Sequence, residues 1–210
     1  MKYRYPDSMI LIFAKAPVPG TVKTRLIGKL NEQQAAELHK SMLIHSVNMA
    51  LASELAPISL YCSPDTTHEV FQSLLNKHIT LSQQRGDDLG SRMANAIGEA
   101  LIYARNVVLI GSDCPVMDEA YLSNAFEKLE NHETVIGPAE DGGYVLLGQN
   151  RLNQQMFEGI NWGTSGVLNE TRKQLQKQNA DWYELDMLWD VDRPEDLERS
   201  GFQEYIHIVK

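Results

Sequence analysis

Short apolar runs rich in Ile, Leu and Val, separated by longer stretches of helical period, constrain this chain more than any other feature. Met9 to Ala14 (MILIFA) is apolar at every position. Such a run fits a strand covered on both faces, as in a parallel sheet between helices. Asn106 to Ile110 (NVVLI) is the strongest central strand, and Ile58 to Cys62 and Ile79 to Ser82 read as further strands. Between them, Glu32 to Leu55 keeps Ala36, Leu43, Val47, Ala50 and Leu55 close to the 3.6-residue period. Thr67 to Lys77, Asp88 to Tyr103 and Asp118 to Glu130 are also expected helices. Alternation of this kind points to right-handed crossovers on a parallel sheet.

After residue 130 the rhythm changes. Thr134 to Gly137 and Gly143 to Gly148 are strand-like around a turn of Pro, acid and Gly. Thr164 to Gln178 is helical, Trp182 to Asp186 strand-like, and Pro194 opens a short helix at its favoured first position. With 210 residues and no internal repeat, low-complexity tract or evident linker, one α/β domain over residues 1–210 is expected, its second half adding mixed strands.

Composition narrows the function classes. A chain with 43% apolar and 22% charged residues is neither disordered nor fibrous. A net charge of −9 disfavours general nucleic-acid binding, and no apolar run approaches the length of a membrane span. No signal peptide is evident, since Lys15 interrupts the N-terminal apolar run. Cys62 and Cys114 lie far apart without a CxxC, in keeping with a reducing, cytoplasmic setting, and Cys114 is expected to be a small buried thiol.

The charge is segregated. Ser8 to Asn31 holds four bases (Lys15, Lys23, Arg25, Lys29) and no acid, whereas Asp181 to Glu198 holds eight acids and one base. The basic stretch follows the first strand, and α/β folds bind ligands outside the carboxyl ends of their strands, so position and charge agree on an anion site. Lys23 and Arg25 are two apart and would share a side if the segment were extended. Several familiar signatures are absent: the phosphate-loop glycines around GTVKT, a G-x-G-x-x-G after the first strand, and G-x-S-x-G around Gly111-Ser112-Asp113. None of the six His forms an i, i+4 metal pair.

Acids stand where strands end. Asp113 follows NVVLIGSD, Glu140 and Asp141 precede Gly142 and Gly143, and Asp190, Asp192 and Glu195 lie in WDVDRPEDL. Carboxylates that converge from separate segments need a cation among them, and Mg²⁺ with phosphate oxygens would serve. Asp192 also stands where a carboxylate can cap the helix at Pro194.

LIFAKAPVPGTVKTRL, GDDLGSRMANAI, LIGSDCP, GPAEDGGYVLLG, NWGTSGV and WDVDRPEDL occur in this order across residues 11–197. Together they resemble a bacterial family of small GT-A-fold proteins described as nucleotide-diphospho-sugar transferases, some named arsenosugar-biosynthesis glycosyltransferases. The resemblance covers nearly the whole chain. It implies a three-layer α/β/α fold with a mostly parallel sheet, similar to that of cofactor guanylyltransferases and molybdenum-cofactor nucleotidyltransferases. By position it implies a nucleotide base and ribose near Ala14, Lys15 and Ala16 and the segment Asp88 to Arg92, including Leu89 and Arg92. Lys23 and Arg25 would face the phosphates. Asp113 would be a metal ligand in the role of the GT-A DxD motif, although this chain carries GSDCP there. Asp192 and Glu195 match the later metal-binding acids of the nucleotidyltransferases. Gly142, Gly143, Tyr144, Trp162, Thr164 and Ser165 would form the acceptor side, with Asp141 or Glu140 as base. The glycine-rich N-terminus of the molybdenum-cofactor enzymes is absent, and the K-x-R-L ending of the first loop is closer to the guanylyltransferases.

The implied activity is glycosyl transfer from a nucleoside-diphosphate sugar to a small acceptor, with Mg²⁺ or Mn²⁺ as cofactor and small molecules as partners. Two alternatives stand beside it: guanylyl or cytidylyl transfer to a small phosphorylated acceptor, and a non-catalytic nucleotide-binding module.

Overall fold

In the computed structural model, which describes residues 2–199, β1 (Ser8–Lys15), β2 (Ile58–Ser63), β3 (Ile79–Gln83) and β4 (Asn106–Ile110) pair in parallel. The alternating side chains of β1 explain why its run is apolar throughout. Ile10, Ile12 and Ala14 turn to one face of the sheet, where α1 (Glu32–Ala52), α2 (Glu69–Leu74) and α4 (Glu119–Leu129) supply Leu43, Val47, Phe71, Leu122 and Phe126. Leu11 and Phe13 turn to the other face, against Met93 and Ile97 of α3 (Leu89–Leu101) and Leu168 and Leu175 of α5 (Val167–Lys177). The result is the expected three-layer α/β/α arrangement.

The change of rhythm after residue 130 corresponds to β5 (Thr134–Pro138) and β6 (Tyr144–Gln149). The short turn between them makes the two strands antiparallel neighbours, and β6 inserts beside β4, with Val107 opposite Gln149. β7 (Trp182–Glu184) then pairs parallel to β5. Among the described residues the sheet order is β3-β2-β1-β4-β6-β5-β7, and β6 alone runs against the rest. The carboxyl ends of β1, β4 and β5 therefore share one edge with the start of β6. No helix among the described residues is long and apolar enough to cross a membrane.

Several helices are shorter than their periodicity predicts, and α1, expected to reach Leu55, ends at Ala52. The one expected over Thr67 to Lys77 spans only Glu69–Leu74, because the His68 ring accepts from the Val70 N–H at its start and Leu75 turns extended at its end. The one expected from Thr164 begins at Val167, the preceding residues forming a turn in which the Thr164 hydroxyl donates to the Asn161 carbonyl. Cys62 and Cys114 are both buried free thiols, and burial pushes each up to about 12.

A third, smaller apolar cluster joins distant parts of the chain. Leu26, in a 3-10 turn at Thr24–Leu26, packs with Leu38 and Met42 of α1 and with Val191 and Leu197 near the C-terminal end of the described chain. Leu197 lies in a 3-10 turn at Pro194–Glu198. Its cap is not Asp192. Asp196 reaches back and accepts from the backbone N–H groups of Asp192 (3.0 Å) and Arg193 (2.7 Å), while its own N–H donates to the Arg193 carbonyl (3.0 Å).

Two substitutions test this packing. Asp196→Ala leaves two N–H groups without their acceptor and is expected to cost about 1–3 kcal/mol, read as a lower melting temperature. Asp196→Asn keeps an acceptor and should lose less. Gly90 in α3 lies against the Trp162 indole so closely that an added Cβ would overlap the ring. Gly90→Ala should destabilise by about 1–3 kcal/mol, as overpacking typically does, with a melting point at or above wild type as the contrary result.

Candidate active site

A cleft of about 380 Å³ opens at the shared sheet edge. Its floor is built from the end of β1 (Phe13, Ala14, Lys15), the loop after β4 (Gly111, Ser112, Asp113) and the start of β6. The first turn of α3 and the turn before α5 form its walls, through Leu89, Met93, Trp162 and Thr164. A cleft at the carboxyl ends of parallel strands is where α/β sheets bind ligands.

Lys23 is the hub of its charged end. Its backbone is left-handed (φ 48°, ψ 38°) at the entrance to the 3-10 turn, a conformation that costs an L-residue roughly 1–2 kcal/mol. The bend drives its side chain inward to 6% exposure. There the ammonium donates to Asp113 Oδ2 (3.0 Å) and to the Val191 carbonyl (2.5 Å). The segment is thus not extended, and Lys23 and Arg25 do not act side by side. Arg25 is largely exposed, lines the cleft and pairs with Asp192, while Lys29 pairs with Glu198. The basic and acidic stretches of the sequence face each other.

Main-chain register brings the acids together. Leu188 bridges in parallel with Ala139, and the Val191 N–H donates to the Asp113 carbonyl (2.9 Å). Asp190, between those two anchors, is carried into the cleft with Asp113 and Asp141. Burial, then the charges of Asp113 and Asp141, push the Asp190 carboxyl up to about 7. Burial also opposes ionisation of Asp113, but the Lys23 ammonium outweighs it and holds that carboxyl below its usual range. Behind them, His39 Nε2 contacts the Lys15 carbonyl at 2.9 Å, so in the neutral ring this nitrogen carries the proton. Burial lowers the His39 pKa, and Nδ1 remains a buried acceptor without a hydrogen-bond partner among the described residues.

The opposite end is less charged. Tyr144 and Trp162 meet edge to face (centroids 6.4 Å apart, 86° between planes), and both line the cleft. Gly142 is at φ 90° with the Ser165 carbonyl where a Cβ would stand, so a side chain there is excluded twice over. Its own carbonyl accepts from the Leu168 N–H in the first turn of α5 (2.8 Å). Asp141 folds back to accept from the Gly143 N–H (2.8 Å), which fixes its carboxylate at the rim.

Of the residues singled out in the sequence, Ala14, Lys15, Arg25, Leu89, Asp113, Asp141, Gly143, Tyr144, Trp162 and Thr164 line the cleft. Lys23 reaches it through Asp113. Ala16 is buried just beyond β1, and Arg92 is turned to the Gly86 carbonyl. Glu140 is held by Arg199 (2.8 Å), and Asp192 by Arg25. Glu140, Gly142, Ser165, Asp192 and Glu195 lie outside the lining, although Gly142 and Ser165 shape the turn behind it. Asp190, named in the sequence among the acids of WDVDRPEDL but given no role there, lines the cleft, and His39, Gln84 and Met93 are among the further lining residues. The alternation in WDVD makes Val191 a core residue and its neighbours polar, but the choice between the two Asp depends on the register with Asp113.

Among the described residues no three His, Cys, Asp or Glu form a ready-made metal cage. Mg²⁺, however, asks for only one or two carboxylates and takes its other ligands from phosphate and water. Asp113 and Asp190, two acids whose mutual repulsion a cation would relieve, fit that requirement.

The chain is 29% identical to a Desulfovibrio desulfuricans G20 protein provisionally described as a nucleotide-diphospho-sugar transferase, with a TM-score of 0.84 over 97% of both chains. It also superposes on CMP:2-keto-3-deoxy-manno-octonic acid synthetase solved with CTP (13% identity, TM-score 0.61, covering 96% of this chain and 99% of the other). A third similar structure is 4-diphosphocytidyl-2C-methyl-D-erythritol synthase from Anaerococcus prevotii DSM 20548 (10% identity, TM-score 0.58, 95% and 96%). The last two establish likeness of fold alone. No curated protein matches by sequence. The profile of the family described as "Uncharacterized protein conserved in bacteria" (DUF2064) matches residues 46–164, more than half of the chain, and the protein belongs to that family.

Proposed function

We propose that this protein is a divalent-metal-dependent transferase that moves a glycosyl group from a nucleoside-diphosphate sugar to a small acceptor. The observation that carries this reading is the cleft's charge pattern: Asp113, Asp141 and Asp190 line it with Arg25 at the carboxyl ends of the strands, and Lys23 stands behind Asp113. The description of the D. desulfuricans protein supports the same class of substrate.

As the acceptor oxygen attacks the anomeric carbon, negative charge grows on the departing diphosphate. Lys23, already desolvated and oriented, and Arg25 at the rim would stabilise that charge without having to reorganise. Asp141, fixed by the Gly143 N–H, is the group placed to take the acceptor's hydroxyl proton; Glu140 is committed to Arg199. Tyr144 and Trp162 would pack against the apolar face of a sugar, with the Thr164 hydroxyl beside them. Asp113 and Asp190 would hold Mg²⁺ or Mn²⁺, which would supply further charge stabilisation to the diphosphate.

Nucleotidyl transfer is the second reading, in which a phosphorylated acceptor attacks an α-phosphate and pyrophosphate leaves. The depth of Lys23, which suits an inner phosphate, favours it, as does the fold shared with the CTP-bound synthetase.

Thermal stabilisation by nucleoside-diphosphate sugars and by CTP and GTP, each with and without Mn²⁺, tests both. A ligand selective for the folded state raises stability by RT ln(1 + [L]/Kd). Manganese-dependent stabilisation by sugar nucleotides is the expected result. A response to CTP or GTP alone would select the second reading, and none to any ligand would overturn both. Asp113→Asn and Asp190→Asn should each weaken manganese-dependent nucleotide binding by about tenfold or more, as loss of a charged partner does. Asp192→Asn should change it by less than about threefold, since its loss disturbs only a partly exposed ion pair. Equal losses at positions 190 and 192 would refute the assignment of Asp190.

A further inference from the structure

The strand order divides the charged groups of the cleft between its two sides. In the sheet, β4 separates β1 from β6 and β5. Lys15, Arg25 and His39 line the cleft from β1 and the segments that follow it, and Arg25 is turned to Asp192, outside the lining. On the side of β5 and β6, the charged groups that line it are Asp141 and Asp190, and among the described residues no Lys, Arg or His joins them there. The arginines carried by neighbouring segments are committed elsewhere. Arg172 of α5 grips both oxygens of Glu184 (2.8 and 2.7 Å), and Arg199 donates to Glu140 (2.8 Å). Asp141 is fixed by the Gly143 N–H. The Thr164 hydroxyl spends its hydrogen on the Asn161 carbonyl (2.8 Å) and accepts from the Gly166 N–H (3.3 Å). Tyr144 and Trp162 complete this wall with aromatic rings, whose faces carry partial negative charge.

We propose that the acceptor is a hydroxylated compound without phosphate or carboxylate groups, either neutral or bearing an ammonium. This deepens the glycosyl-transfer reading and rests on it, and it tells against the phosphorylated acceptor that the second reading requires. An anionic oxygen docked on this wall would leave water to face two carboxylates, with no side-chain cation to pair with. The departing diphosphate would add a third source of like charge. A hydroxyl meets the opposite situation. Asp141 accepts its hydrogen as the oxygen attacks, and the rest of the molecule packs on the rings. An ammonium gains from the same carboxylates and from the ring faces, which attract cations.

The test supplies the full-length protein with Mn²⁺, nucleoside-diphosphate sugars labelled in the sugar, and a small-molecule extract of bacterial cells as the source of acceptors. Labelled product is separated from free sugar and passed over an anion-exchange resin. A second portion of extract is treated with alkaline phosphatase, and the phosphatase removed, before use. The expected product is not retained by the resin, and its yield does not fall after phosphatase treatment. Thr164→Lys, which sets a cation on the acceptor wall, should raise the anionic share of the product about tenfold, as a new opposite charge at short range does. If Thr164→Lys does not fold, the phosphatase comparison on the wild-type protein decides. A product that is retained, or that disappears after phosphatase treatment, would overturn this inference and leave the transferase reading standing. An unchanged anionic share in a folded, active Thr164→Lys would overturn it too, since charge on that wall would then not select the acceptor. No labelled product from any nucleoside-diphosphate sugar would overturn both.

Discussion

The candidate site depends on one buried ammonium. Lys23 adopts a left-handed backbone and brings its charge between the Asp113 carboxylate and the Val191 carbonyl. That contact joins the loop after β1, the exit of β4 and the C-terminal part of the described chain, three segments that share no strand. A charge so deep is tolerated because the carboxylate and the carbonyl replace its water. In the proposed transferase the same desolvation would make it a strong, pre-oriented partner for an anion. The apolar cluster of Leu26, Met42, Val191 and Leu197 lies behind it and holds the loop against that segment.

The electrostatics of the cleft follow from this arrangement. Burial, and then the charges of Asp113 and Asp141 that Lys23 only partly offsets, raise the affinity of Asp190 for a proton. A proton, a metal ion or a shifted ammonium can each relieve that repulsion. The pairs Arg25–Asp192 and Lys29–Glu198 are more exposed and contribute little stability singly. They link the basic loop to the acidic segment.

The uncharged half of the cleft is positioned by close packing. Gly90 admits the Trp162 ring against α3, and Gly142 admits the Ser165 carbonyl against the turn after β5. The walls on either side of the cleft are thus set by contacts that exclude a methyl group. Gln84 extends the same logic to hydrogen bonding, since its amide donates to the Ala14 and Tyr61 carbonyls and so closes the ends of β1 and β2.

The layered fold was legible in the sequence because it rests on local period and burial. MILIFA fits a strand covered on both faces, the helices between strands carry their own apolar stripes, and the turn of Pro, acid and Gly announces the β5–β6 pair. The position of the site was legible too, because a basic loop after the first strand and an acid after the fourth both fall at carboxyl ends. Other features required the tertiary structure. Asp190 and Asp192 are equivalent by composition and spacing. Only the Val191–Asp113 hydrogen bond, 78 residues apart in the chain, decides which one enters the cleft. Lys23 and Arg25 share one loop, yet a left-handed bend gives them different partners. Glu140 and Asp141 are adjacent, and Arg199 holds one while the Gly143 N–H holds the other. Local sequence carries propensity and pattern, whereas the partner of a charge is chosen by whichever distant segments the packed sheet brings within a few ångströms.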